Sequence, residues 1–402
     1  MQNNDAPPLC YAPPLRYAPP LRYDSSVPEL PPSVPYIPPA ANSSSSTATG
    51  ITEINDIRMP AEFRGFSFSK YKKTDVHQQW VDAMSKGKIE PACYWGAELV
   101  CAGHFIDLWE TIFHYMAKHI HLGNPKMAIY LEMRYTVFRN IMAQGMFTSE
   151  IDLRNNEKIR KLFAEIICIL TLSKRKPSFE KIKIQRADEF DMTQMCNRLK
   201  ASSMEYAQSV FKPKDPKEIF IALNEFGYAI QPSNKNMSSA CYWIEWAVEF
   251  EIICRKKKES CMCERRNYPV EPKFQKDIIW LFWDVLFEYY DKQNGFVEKT
   301  LNALMRLFCI KYTHATCKKR RYMLYYAVGL LTESIGSAEN IIADENKPVI
   351  QNVMNRLDEI YKQIKKNEVS PKTEYLFQGL DKKKMLERSI RQMDIVFNQG
   401  SP

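Results

Sequence analysis

The sequence predicts an all-α protein: two similar multi-helix units from an internal duplication, preceded by a disordered proline-rich arm. Three observations carry this. From about residue 60 onward, apolar residues recur at steps of three and four, as one face of a helix requires, and no stretch alternates with period two between hairpin turns. Glycine is scarce, 13 in 402 residues, whereas phosphate loops and tight βα turns need it. Finally, Ala92-Cys93-Tyr94-Trp95 returns as Ala240-Cys241-Tyr242-Trp243. Other landmarks follow in the same order at nearly constant spacing: Pro125-Lys126 and Pro272-Lys273, Gly145 and Gly295, Lys161-Leu162-Phe163 and Arg306-Leu307-Phe308. Ordered matches of this kind mark a duplication.

Residues 1–55 are the arm and its linker. Three hexapeptides run from Ala6 to Tyr23. Their prolines, Pro7, Pro8, Pro13, Pro14, Pro19 and Pro20, fix φ and lack a donor, which excludes helix and central strand and favours an extended polyproline II form. Leu9, Tyr11, Leu15, Arg16, Tyr17, Leu21, Arg22 and Tyr23 recur between them. A plain spacer would not need aromatics, so the arm reads as a docking segment lying along a partner's groove. The bland alternative is a flexible tail. Ser43 to Thr49 is a Ser/Thr/Ala linker.

The first unit is expected over 60–178. Trp95, Leu99, Ala102, Ile106, Trp109, Phe113, Met116 and Ile120 form one stripe, predicting a single helix of about seven turns. Gly123-Asn124-Pro125 supplies a stop and a restart. The next helix carries Met127, Leu131, Tyr135 and Phe138 to near Gly145, and another runs from about Asn156 to Ser173. Residues 179–217 are expected to be a connecting helical segment. In the second unit, 218–335, Ser238-Ser239 can cap a helix with Trp243, Ala247, Phe250 and Cys254 inward. Pro269 and Pro272 break the chain before a helix from Ile278 that stops near Gly295, and helices follow around 301–312 and 322–331. Residues 336–402 hold the C-terminal helices and tail. There an amphipathic helix from Pro348 to Lys366 shows Val353, Leu357, Ile360 and Ile364 on one face, suited to packing across the two units.

Composition bounds the chemistry. The net charge of +9 is compatible with a polyanionic partner without demanding one. No secretory signal and no membrane-length apolar run is visible, so the 11 cysteines are expected to be mostly free thiols in a reducing compartment. The tetrapeptide aromatics fall on apolar stripes and read as core. Cys254, Cys261 and Cys263 form C-x6-C-x-C, an unusual spacing for zinc; His314 and Cys317 are conceivable further donors, and free thiols are the preferred reading. His104, His114, His119 and His121 lack metal-pair spacing and read as surface or half-buried residues. No metal and no cofactor is expected. Phosphate-loop, dinucleotide, nucleophile-elbow and kinase motifs are absent from the sequence, which places an enzymatic role third. The remaining candidates are basic clusters: Arg255, Lys256, Lys257 and Lys258; Arg265 and Arg266; Lys318, Lys319, Arg320 and Arg321; and Lys174-Arg175-Lys176. They read either as favourable charge at helix C-termini or as a phosphate-binding surface.

The strings Ala92 to Cys101, Lys118 to Lys126 and Ala240 to Phe250 resemble a conserved helical protein family of nucleocytoplasmic large DNA viruses, the giant viruses. The resemblance covers roughly residues 75–330, leaves the arm outside, and transfers no catalytic or binding residue. It implies a virus-encoded protein located in the virion or in the host cytoplasm, at the viral factory. The leading expectation is therefore a virion component of minor capsid type, whose arm docks other viral proteins, capsid components among them. The alternative is a nucleic-acid-associated factor for replication, transcription or packaging, which grips phosphates through the second unit's basic clusters.

Overall fold

The computed structural model describes residues 52–145, 147, 149–185, 190, 195–258, 261–335, 340–369 and 387. Thirteen α-helices and no β-strand occur among the described residues. The first five are α1 (Lys73–Ser85), α2 (Ile89–Cys101), α3 (Phe105–Tyr115), α4 (Met127–Gln144) and α5 (Glu157–Leu172). Then come α6 (Lys217–Ile230), α7 (Met237–Lys257), α8 (Ile279–Tyr289), α9 (Gly295–Cys309), α10 (His314–Lys319) and α11 (Arg321–Thr332). The last two are α12 (Lys347–Asn355) and α13 (Leu357–Lys365). No helix among the described residues is long and apolar enough to cross a membrane.

The expected seven-turn helix is two helices and a π turn. Gly103, at φ +74°, ends α2 and swings the chain into α3, and a Cβ there would press on Ile151. Ile106, assigned to the inward stripe, is consequently half exposed, while Leu108 and Ile112 point inward. Beyond α3 the backbone widens into a π turn over Met116–Ile120. It closes in a tight turn where the Gly123 amide donates to the Ile120 carbonyl at 2.8 Å. His121 takes the second position of that turn at φ +47°, ψ −132°, a conformation that favours glycine. The turn is nevertheless held, because Gly123 lies against the backbone of 174–176 so closely that a Cβ would sit 2.6 Å from the Lys174 carbonyl oxygen.

Other boundaries move for local reasons. α5 starts near Asn156 as expected, and Asn156 is its cap, with Oδ1 accepting from the Ile159 amide at 3.1 Å. The cap of α7 is Asn236 rather than Ser238-Ser239; its Oδ1 accepts from the Ser239 amide at 3.0 Å. α8 already ends at Tyr289, and Gly295 opens α9 behind the Asn294 cap instead of stopping the earlier helix. In the connecting segment expected over 179–217, the described residues include short 3-10 turns at Cys196–Arg198 and Glu205–Ala207, while 186–189 and 191–194 lie outside the described residues. The helix expected over 348–366 is interrupted at Arg356. Its two halves pack on α5 and α2.

One apolar cluster runs through α1 to α12, with Trp80, Trp243, Trp280 and Trp283 fully buried in it. α9 lies on α4, and α11 lies on the π turn, so helices from both halves of the sequence share this core. A second, smaller cluster joins Ile54, Phe63 and Phe68 to α13. Arginines plate its edge: the Arg58 guanidinium lies 4.7 Å from the Phe63 and Phe68 rings, and Arg160 lies 4.0 Å from Tyr361.

Candidate functional site

The basic clusters divide sharply once folded. Arg266 is buried and spans Asp215, at 2.7 Å, and Asp284, at 2.6 Å. Arg320 is buried as well; its Nη1 donates to the carbonyls of Phe308 at 2.7 Å and Ile310 at 2.6 Å, and its guanidinium pairs with Glu110 of α3. Arg321 pairs with buried Glu245, whose other oxygen accepts from the Tyr325 hydroxyl at 2.9 Å. These three cations are committed to internal carboxylates. Lys256, Lys257, Lys258, Arg265 and Lys319 remain exposed, and Lys318 is half buried. Lys174, Arg175 and Lys176 flank the tight turn, where Lys176 pairs with Glu333. The docking-arm residues from Pro7 to Tyr23 lie outside the described residues.

Arg255 leads to a different arrangement. It projects from the last turn of α7 and donates to Glu251 Oε1 at 2.8 Å, one turn back. The same Nη2 lies 3.0 Å from Nδ1 of His314, the first residue of α10. That nitrogen is also 3.0 Å from Asp277 Oδ2 and 3.7 Å from Glu251 Oε1. Asp277 sits in the turn before α8, held by its carbonyl accepting from the Trp280 amide at 3.2 Å and by the Tyr312 hydroxyl donating to Oδ2 at 2.9 Å. Thr313 caps α10, its Oγ1 accepting from the Thr316 amide at 3.2 Å, and this fixes where the His314 ring starts. Three separate segments thus deliver two carboxylates and an imidazole to one spot.

The electrostatics of the spot are those of crowded acids. Burial and then the Glu251 charge push the Asp277 carboxyl up to about 7. Burial also raises Glu251, against Arg255 and Lys318. His314 is lowered by burial and by Arg255, Lys318 and Lys273, which keeps its imidazole neutral near pH 7. Ligand atoms of Glu251, Asp277 and His314 all lie within 4.8 Å of one another. Comparisons of the chain with family models, curated proteins and solved structures find no match. The chemistry of this site therefore has to be read from its own geometry.

Sequence reasoning approached this cluster from one side only. The sequence offers His314 only as a companion to the cysteines, and nothing in its pattern marks Glu251, Asp277 or Tyr312. The cysteines stand beside it: Cys254 and Cys263 are buried, Cys261 is half buried, and the Cys263 thiol donates to the Asp277 carbonyl at 3.4 Å. The tetrapeptide aromatics are unequal. Trp243 is buried, whereas Trp95 is half buried and meets exposed Tyr71 edge-on at 5.6 Å. Among the histidines, His121 is fully enclosed, while His104, His114 and His119 are half buried.

Proposed function

We propose that the chain is a structural, interaction-making protein of a large DNA virus, a virion component of minor capsid type whose segment 1–55 docks partner proteins. The viral part of this reading rests on the sequence resemblance. The observation that carries the interaction part is a run of exposed apolar side chains, Ile57, Met59, Phe66 and Tyr71, directly after the arm in sequence. Exposed apolar surface concentrated in one short segment is what a protein contact uses. An extended arm that orders on binding covers much surface per residue. Mass spectrometry of purified particles tests the proposal. The chain is expected in the particle, and deletion of residues 1–50 is expected to weaken its incorporation while the body stays folded. Presence only in infected-cell extracts overturns the reading.

The second reading is a nucleic-acid-associated factor, favoured by the exposed lysines 256–258 at the end of α7 with Arg265 and Lys319. Binding to mixed-sequence duplex would then weaken steeply as salt rises. No binding at low salt removes it.

A further inference from the structure

We propose that Glu251, Asp277 and His314 form a binding site for a divalent transition-metal ion of the Zn2+ class, with Arg255 occupying the cation's place in its absence. The first argument is the hydrogen-bonding conflict at one atom. His314 Nδ1 faces the Arg255 Nη2 donor and the Asp277 Oδ2 acceptor, both at 3.0 Å. If Nδ1 carries the proton, it opposes the guanidinium hydrogen. If it does not, its lone pair opposes the carboxylate. Protonating Asp277 only brings two donors onto one lone pair. Glu251 Oε1, at 3.7 Å, adds a further acceptor pointing into the same space. A metal ion removes the conflict, because imidazole nitrogen and both carboxylate oxygens would all direct lone pairs at it.

The spacing suits such an ion. Bonds of about 2.1 Å to nitrogen and oxygen put tetrahedral ligand atoms about 3.4 Å apart. The two separations from Nδ1 are 3.0 and 3.7 Å. An imidazole beside two carboxylates favours a transition ion over Mg2+, which prefers an all-oxygen octahedron and keeps its waters. Arg255 is exposed at the end of its helix, so a bound cation would displace its guanidinium from Glu251 and His314 toward solvent. The half-exposed edge at His314 leaves a route in, and room for water as a fourth ligand. Because the donors come from α7, the turn before α8 and α10, a bound ion would tie three elements together and raise stability by mass action.

Titrating the full-length chain with Zn2+ by calorimetry, alongside thermal melts and Co2+ absorption spectra, tests this. Expected are one saturable equivalent, a higher melting temperature with metal, and Co2+ bands without thiolate charge transfer. Asp277→Asn and His314→Ala should each weaken Zn2+ binding by roughly 100-fold or more. Arg255→Ala should tighten it, a response that a purely structural arginine would not give. His314 and Arg255 are accessible enough for their variants to report even if Asp277→Asn misfolds. No saturable Zn2+ binding overturns the proposal. So does binding that ignores both ligand variants, or that is lost only in Cys261→Ser with a thiolate–cobalt band in the parent.

Discussion

Arg320→Ala should be among the costliest single changes in this protein, although a basic run suggests a solvated residue. The side chain is 3% exposed. It closes the C-terminal end of α9 by donating to the Phe308 and Ile310 carbonyls at 2.7 and 2.6 Å, and it neutralises Glu110 on α3. Hydrogen bonds from a charged donor are worth about 1.5–3 kcal/mol each. Removing one partner of a buried pair costs about 3–5 kcal/mol, since the other charge stays behind. Water entering the vacated space rehydrates part of this, so the lower figure already absorbs some carbonyl loss. A total of about 4 kcal/mol corresponds to a fall on the order of 6 °C in melting temperature for a body of this size. The assay is thermal and urea unfolding of the wild type, Arg320→Ala, Glu110→Ala and the double variant. The cycle should return a coupling of about 2 kcal/mol. Lys319→Ala, an exposed neighbour, should stay within about 0.5 kcal/mol of wild type. If Arg320→Ala is equally silent, or if Lys319→Ala costs as much, the assignment of Arg320 as an internal strut is refuted.

Two further outcomes follow from the turn after the π segment. His121 is enclosed against Tyr326, with burial, then Lys176, lowering its pKa from 6.5 to about 4 while Glu333 opposes them. A depressed histidine binds its proton more readily when unfolded, so its stabilising effect is complete above pH 6.5 and drains away as pH falls toward about 4. The stability difference between wild type and His121→Asn should therefore shrink by about 3 kcal/mol between pH 7.5 and pH 4; a difference constant with pH rules this out. Gly123→Ala should cost about 1–3 kcal/mol by overpacking against the 174–176 backbone. A melting temperature equal to wild type would mean that this segment is not held where the geometry puts it.

The helical class was legible because burial demands periodicity, and the stripes of α4, α5 and α11 fall where the sequence puts them. The break at Gly103 was hidden for the same reason. Both α2 and α3 bury a face against the same core, so their stripes run on with almost the right step, and only the left-handed glycine separates them. The cap of α7 was missed by two residues because serines and asparagine compete for one role, and the folded turn selects Asn236. In the sequence Gly295 looks like a stop, yet Asn294-Gly295 begins a helix, an ambiguity that only the extended backbone at Tyr290 resolves. The carboxylate–histidine cluster left no periodic or motif signature, since Glu251, Asp277 and His314 lie on three segments and meet only through packing.

The fold draws several of its arginines into the interior, and this bears on what the surplus charge can do. Arg58, Arg266, Arg320 and Arg321 are buried or nearly so, and each faces a carboxylate. Such pairs cancel, so they contribute nothing to the net charge of +9. Arginine suits these interior positions because its planar fork satisfies several acceptors at once and stays charged when buried. The exposed run at the end of α7 is lysine from 256 to 258, flexible and strongly hydrated. Lysine meets phosphate as a point charge and reads no base edge in the manner of a bidentate arginine. A nucleic acid gripped by these lysines would be held by its backbone, with strong salt dependence. Arg266, Arg320 and Arg321 are spent on joining helices, which leaves Arg175, Arg255 and Arg265 as the exposed arginines of the basic clusters.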